Sequence, residues 1–267
     1  MIKNKKKDTK IISIVSWNVN GLRAIYGKGF THFIEQNNFD IVCIQEIKID
    51  SQKLSENLIN FKGYFSYFSS AIRPGYSGVA VYSKIKPIKA EIGFGIPRFD
   101  DEGRVLMLDF KDFILINAYM PNGGREMQRL SYKLDFYDSF LKYLKIFIRE
   151  GRKIILTGDI NTAHKAIDLA RPKQNEKNTG FLPQERAWID NLVASGFIDT
   201  FRLFNKEPCN YTWWDYKTRS RERNVGWRLD YFFITNNLKK RLKNSKILTE
   251  VTGSDHCPIL IELFKTA

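Results

Sequence analysis

Polar side chains of one chemical kind stand where the apolar runs of this chain stop. Lys153-Ile154-Ile155-Leu156-Thr157 is rich in β-branched residues and gives way to Gly158-Asp159-Ile160-Asn161, a carboxylate and an amide directly after a glycine. The run reads as a buried strand, which fixes the backbone, and Gly158 lets another segment come close. Taken alone, Gly-Asp and Asn are ordinary turn chemistry. The pattern recurs, however. Ile11-Ile12-Ser13-Ile14-Val15-Ser16-Trp17 leads to Asn18, and Ile41-Val42-Cys43-Ile44-Gln45 leads to Glu46. The run 113–118 leads to Tyr119 and, past Pro121, to Asn122, while Asp255-His256 precedes the last apolar run. Carboxylates and amides without clustered cysteines are hard oxygen donors of the type that Mg²⁺ or Mn²⁺ selects. Such an ion beside a histidine suits hydrolysis of a phosphate ester. Asp230 interrupts the apolar run 227–234, and a carboxylate buried there needs a partner.

The elements that must hold these groups follow from periodicity. Leu130, Leu134, Tyr137, Leu141, Leu144 and Ile148 alternate three- and four-residue steps, which predicts a long helix with one apolar stripe, ended by Gly151. The runs 104–110 and 113–119, joined by Lys111-Asp112, predict a hairpin. Short helices are expected around Phe30, Phe33 and Ile34, and from Pro183 with Trp188, Leu192 and Val193 turned inward. Tyr211-Thr212-Trp213-Trp214 and the run 227–234 read as strands, and the polar stretch after Asn161 as a long loop beside the suspected site.

Composition narrows the class. The chain has 267 residues, of which 43% are hydrophobic, enough for a large core; no linker, repeat or membrane-length apolar run divides it. A basic flexible tail at 1–10, without a secretory signal, and a single catalytic domain at 11–267 are expected. Lys and Arg outnumber Asp and Glu 43 to 29, a net charge of +14, which favours a polyanionic partner, nucleic acid first and an anionic membrane surface second. Cys43, Cys209 and Cys257 are too dispersed for a disulfide framework or a zinc site, so a reducing compartment is expected.

Seven stretches together are specific. They are Ser16-Trp17-Asn18-Val19-Asn20-Gly21-Leu22-Arg23-Ala24, Gln45-Glu46-Ile47-Lys48, Asn117-Ala118-Tyr119-Met120-Pro121-Asn122, Gly158-Asp159-Ile160-Asn161-Thr162-Ala163-His164, Gly180-Phe181-Leu182-Pro183-Gln184-Glu185-Arg186, Asn224-Val225-Gly226-Trp227-Arg228-Leu229-Asp230-Tyr231, and Gly253-Ser254-Asp255-His256-Cys257-Pro258. In this order they resemble the exonuclease III family of abasic-site endonucleases, within the superfamily that shares the DNase I fold. The resemblance implies a four-layered α/β sandwich, two mixed sheets face to face with helices outside. It implies Mg²⁺-dependent cleavage (with Mn²⁺ as the alternative ion) of the phosphodiester 5′ to an abasic site, leaving a 3′-hydroxyl, and 3′-5′ exonuclease or 3′-end processing beside it.

The same resemblance distributes roles. Glu46 would hold the metal with help from Asn18 and Asp255; Asp159 would activate the attacking water, oriented by Asn161, or share a second metal with it. His256, fixed by Asp230, would contact the phosphate, and Tyr119 and Asn122 would support the phosphate or the leaving oxygen. Trp213, Trp227 and Leu229 would wall the pocket for a flipped-out abasic sugar. Arg221, Arg223 and Arg228 would grip phosphates beside the lesion. Asn20 stands where some relatives have Asp, and Trp213 where others have Phe. The partner would be double-stranded DNA with abasic or 3′-blocked lesions, met by a monomer in the cytoplasm with the nucleoid of a prokaryote or in a eukaryotic nucleus. Two other readings are a phosphoesterase of the same fold acting on inositol phosphates or sphingomyelin, and a DNA-binding module without catalysis.

Overall fold

The computed structural model describes residues 11–50, 55–124 and 126–266; the basic segment 1–10 lies outside them. Among the described residues the strands are β1 (Ile11–Asn18), β2 (Ile41–Gln45), β3 (Phe65–Ser69), β4 (Val79–Ser83), β5 (Lys89–Ile92), β6 (Val105–Asp109), β7 (Ile114–Tyr119), β8 (Ile154–Asp159), β9 (Phe197–Asp199), β10 (Asp230–Thr235), β11 (Leu242–Ile247) and β12 (Ile259–Phe264). They form two six-stranded sheets, ordered β11-β12-β1-β2-β4-β3 and β5-β6-β7-β8-β10-β9. Both sheets are mixed. In the first, β1 and β2 run parallel, and in the second β7 and β8 do; the other pairings are antiparallel.

Strand alternation decides the layers. On β1, Ile12 and Ile14 face the second sheet and meet Leu106, Leu108, Leu115 and Ile155, whereas Val15 and Trp17 face outward onto Leu22, Phe30 and Ile34. On the second sheet Ile116 and Leu156 face outward onto Phe136, Tyr137, Phe140 and Trp188. The result is helix, sheet, sheet, helix, with a largely apolar core between each pair of layers, and each fully buried large apolar side chain contributes about 1.5–3 kcal/mol. Between the sheets the apolar contact is interrupted by a polar bridge below the strand exits. Gln45 donates to Asn117 Oδ1 (2.6 Å) and to Ser16 Oγ (2.9 Å), and Asn117 donates to the carbonyls of Ile44 (3.0 Å) and Ala80 (2.9 Å). Buried amides of this kind are tolerated only when bonded, so they lock β7 against β2 in one register just beneath the strand exits.

Parallel pairs require crossovers, and helices supply them. Leu22–Tyr26 and Phe30–Asn37 join β1 to β2, and the long helix Met127–Arg149 joins β7 to β8. The expected hairpin is β6 and β7. Three expectations shift. The inner face of the long helix is Lys133, Phe136, Tyr137, Phe140, Leu141 and Leu144, leaving Leu130, Leu134 and Ile148 at its flank. Aromatic side chains at positions 136 and 140 rotate the buried face by less than one residue step, which a stripe of leucines alone does not reveal. On the helix Pro183–Ala194 the buried side chains include Trp188 and Leu192, while Val193 is exposed. Residues 211–214 form isolated bridges and no strand: Trp213 pairs with Trp227 and with His256. Asp230 accordingly opens β10 instead of lying within a longer strand.

Candidate active site

The C-terminal ends of the two parallel pairs meet in one cleft. Asn18 ends β1, Glu46 follows β2, Tyr119 ends β7 and Asp159 ends β8. Register explains the closeness within the second sheet, where Asp159 lies opposite Tyr119 on one side and Asp230 on the other. The approach depends on Gly158. Its φ is +130°, and a Cβ built there would lie 1.9 Å from the Ala118 carbonyl oxygen, so no side chain fits at this point. The resulting cavity of about 440 Å³ is lined by Glu46, Tyr119, Asn122, Asp159, Asn161, Trp213, Trp227, Leu229, Asp255 and His256, together with Asn20, Lys48, Thr179 and Gly180.

Asp159 is bonded through both carboxylate oxygens. Its Oδ1 accepts the Asn161 backbone N–H (2.8 Å), and its Oδ2 accepts amide N–H groups of Asn18 (2.9 Å) and Asn161 (3.3 Å). Asn161 is in the left-handed region at φ +54°, and its amide also donates to the Met120 carbonyl (2.9 Å) while its oxygen accepts from Asn122 (3.2 Å). Burial pushes the Asp159 carboxyl up to about 7; His256 pulls it down, and the charges of Asp230 and Glu46 push it further up. His256 Nε2 stands 3.8 Å from Asp159 Oδ2, and its Nδ1 donates to Asp230 Oδ2 at 2.8 Å. Burial works against the charged ring, but Asp230 and then Asp159 outweigh it and carry the imidazole up to about 10. With Nδ1 engaged by Asp230, the ring turns Nε2 toward Asp159 at the cavity wall.

Across the cleft Glu46 is handled differently. Its Oε1 accepts from Asn18 (2.9 Å) and its Oε2 pairs with Lys48 Nζ (2.8 Å). Burial acts to raise this carboxyl, yet Lys48 and the Asn18 bond hold it below its ordinary value. Lys48 also donates to Asn20 Oδ1, and Asn20 donates to Asp255 Oδ1 (2.9 Å). The Trp213 indole N–H donates to Asp255 Oδ2 (3.1 Å). Tyr119 carries the Arg104 guanidinium over its ring at 4.6 Å; burial first, and then the charge of Glu46, hold its phenol well above the ordinary value, so it is a neutral O–H donor.

The residues Asn18, Glu46, Tyr119, Asn122, Asp159, Asn161, Trp213, Trp227, Leu229, Asp230, Asp255 and His256 are thus gathered around one cleft. Expectation and structure differ at Asn18 and at three arginines. Asn18 turns its N–H groups to Glu46 and Asp159, and its one oxygen accepts the Asn20 backbone N–H (3.0 Å), so it orients two carboxylates instead of presenting an oxygen. Arg228 is 1% exposed and bonded to Asp168 (2.8 Å) and Asp199 (2.6 Å), which places it under β10 and out of reach of a phosphate. Arg221 lies over the buried Trp214 and donates to the Thr249 and Val251 carbonyls (2.6 and 2.7 Å), and Arg223 donates to the Thr218 carbonyl (3.0 Å); neither lines the cavity. Lys48, Thr179 and Gly180 join the cavity wall unexpectedly; their only signal in the sequence is that each lies in or next to a matched stretch.

The donor chemistry fits a hard divalent ion. Among the described residues Glu46, Asp159 and His256 each place a ligand atom within 4.8 Å of the others. His256 is engaged through Nδ1 by Asp230, and the oxygens of Glu46 and Asn20 already converge on a cation, the Lys48 ammonium. No described helix is long and apolar enough to cross a membrane.

Comparison with known proteins points the same way. The sequence pattern of the Endonuclease/Exonuclease/phosphatase family matches residues 15–256. An exodeoxyribonuclease of Bacillus subtilis (strain 168) is 38% identical, the match covering 93% of this chain and 98% of that protein. A DNA-(apurinic or apyrimidinic site) endonuclease of Dictyostelium discoideum is 40% identical over 95% of this chain and 71% of its own length. Among solved structures, a 3′ phosphatase from Neisseria bound to a product DNA hairpin superimposes with a TM-score of 0.88 at 25% identity, covering 95% of this chain and all of that one.

Proposed function

The chain belongs to the Endonuclease/Exonuclease/phosphatase family, and we propose that it hydrolyses the DNA phosphodiester on the 5′ side of an abasic site, leaving a 3′-hydroxyl, and trims blocked 3′ ends at the same site. It is a DNA repair nuclease of the exodeoxyribonuclease and AP endonuclease kind. The observation that carries the finer reading is the pairing of a deeply buried, multiply bonded carboxylate, Asp159, with His256, itself fixed by Asp230, on one cavity walled by Trp213, Trp227 and Leu229.

Asp159 takes a proton from the attacking water. A carboxyl near 7 is matched to that task at neutral pH, and the Asn161 and Asn18 bonds hold its oxygens in place. His256 donates from Nε2 to a phosphate oxygen, with Asp230 fixing the ring. As the P–O bond from water forms and the P–O3′ bond breaks, the O–H of Tyr119 and the amide of Asn122 support the departing oxygen and the phosphate. Glu46, with Asp255 and Asn20 beside it and Asn18 orienting it, would hold the divalent ion, Mg²⁺ by donor chemistry with Mn²⁺ as alternative; when bound, the ion neutralises charge on the phosphate. A second ion at Asp159 and Asn161 would use the same corner. The three aromatic and aliphatic walls suit an extruded sugar without a base, and the +14 charge suits the duplex around it.

The test is a duplex carrying one abasic analogue, incubated with and without EDTA beside an inositol phosphate. Metal-dependent incision 5′ to the analogue, with the inositol phosphate untouched, is expected. Turnover of the inositol phosphate in place of DNA would overturn the substrate, and DNA binding without incision would overturn catalysis.

A further inference from the structure

One ion pair beneath the cavity takes no part in the chemistry above. Lys133 on the helix Met127–Arg149 and Glu185 on the helix Pro183–Ala194 are in contact at 2.6 Å, and both side chains are 0% exposed. Beyond their mutual contact and the Glu185 cap on its own helix at Leu182, the bonds of the pair go to the site's supports. Lys133 Nζ donates to the Asn161 carbonyl (2.7 Å) and to Thr162 Oγ1 (3.0 Å). Glu185 accepts from Thr179 Oγ1 (2.7 Å) and from the backbone N–H groups of Gly180 (2.6 Å) and Leu182 (2.9 Å). Thr179 and Gly180 line the cavity, and Gly180 lies against the Trp227 ring, where a Cβ would be 3.2 Å from it.

A buried ion pair is a poor way to gain stability, since the desolvation of two charges offsets their attraction and apolar side chains of similar volume serve as well. What charge-assisted bonds supply is geometry. Asn161 is pinned on both peptide bonds: its N–H goes to Asp159, and its carbonyl goes to Lys133. Its left-handed backbone is thus held from both sides. Tyr137, one turn along the same helix, donates to the Ile160 carbonyl (2.6 Å), so the segment 160–162 is tied to the helix at successive residues.

We infer that Lys133 and Glu185 are positioning residues for the reaction, a buried strut that registers the cavity wall at Thr179 and Gly180 against the corner formed by Asp159 and Asn161. This rests on the nuclease reading above. In the double variant Lys133→Met/Glu185→Gln no charge is left unpaired, and the Gln oxygen can still accept from Gly180 and Leu182, but the bond to the Asn161 carbonyl is lost. A misplacement remote from the reacting atoms costs on the order of 100-fold. The expected result is therefore a kcat about 100-fold lower on the abasic duplex, with KM and DNA affinity within about threefold and the melting temperature unchanged. A folded variant with wild-type kcat, or one that loses KM and keeps kcat, overturns the inference. Should the double variant not fold, Thr162→Val removes one Lys133 acceptor, together with the hydroxyl's bonds to Tyr137 and the Asn161 carbonyl, without touching the cavity. It should lower kcat about fivefold at constant KM, and wild-type kcat would be contrary. Wild-type enzyme assayed in parallel separates the two readings, because failure of the wild type to cut the duplex is a failure of the proposed function alone.

Discussion

β1 and β2 in the first sheet and β7 and β8 in the second are parallel pairs that end on the same cleft, but the carboxylates they deliver are treated in opposite ways. Glu46, after β2, has a side chain 16% exposed and in contact with the Lys48 ammonium; Asp159, ending β8, is 2% exposed and surrounded by amide donors and two further acids or bases. The first is held ionised below its ordinary value and the second is raised toward 7. Two carboxylates whose environments push them apart can take two tasks, charge for a cation and proton acceptance from water. Topology brings them together; neighbours from distant parts of the chain divide the work.

The comparison is broken most severely on the second-sheet side. Asp159→Asn should lower kcat on the order of 10³-fold while binding to an abasic duplex persists, because the amide keeps the shape but takes no proton. Cleavage near the wild-type rate, measured in single turnover, would rule out Asp159 as the proton acceptor.

A smaller effect tests what keeps β10 and Asp230 in place. Arg228→Met takes a shared cation from the buried Asp168, which keeps Arg202, and from the partly buried Asp199, and should cost about 3 kcal/mol of stability in urea unfolding. The pH dependence has a definite sign. Burial raises the Asp168 carboxyl, but Arg228 and Arg202 outweigh it and leave the group below its ordinary value of 3.8. Its stabilisation is complete above the unfolded value and is lost as pH falls through the lower folded value. Melting temperatures of the wild type should therefore fall below about pH 4, and those of Asp168→Asn should fall less steeply. Parallel curves would exclude the contribution.

The smallest effect sharpens the first-sheet side. In Lys48→Met the Glu46 carboxyl moves up, so the Mg²⁺ concentration for half-maximal cleavage should rise a few-fold near pH 5.5 and stay close to the wild type at pH 8. An equal change at both pH values would mean that Lys48 acts on DNA and not on Glu46.

Much of the layout is legible in the sequence because it is local. Strand exits at Asn18, Glu46, Tyr119 and Asp159 follow from apolar runs that stop, and the crossover helix follows from periodicity. Arg228 is misread for a definite reason: its partners Asp168 and Asp199 lie 60 and 29 positions away, and an arginine between Trp and Leu does not reveal whether it faces solvent or two acids inside the fold. Lys133 carries a faint signal, since it lies one turn before Tyr137 on the inner face, where a lysine demands a buried acid. Gln45 and Asn117 lie in matched stretches, but only the packing of two sheets gives them each other as partners.

The pairing of β1 with β12 has a consequence for synthesis. Ile11 lies opposite Phe264, the Trp17 indole donates to the His256 carbonyl (3.0 Å), and Ser254 donates to the Asn18 carbonyl (2.8 Å). Contacts of such sequence separation form late, since the loop between them must first be closed. A nascent chain that has already made β1, β2, β7 and β8 still lacks His256 and Asp255. The cleft is complete only after the segment 254–264 has left the ribosome, so the wall that carries Asp255 and His256 is the last to be added.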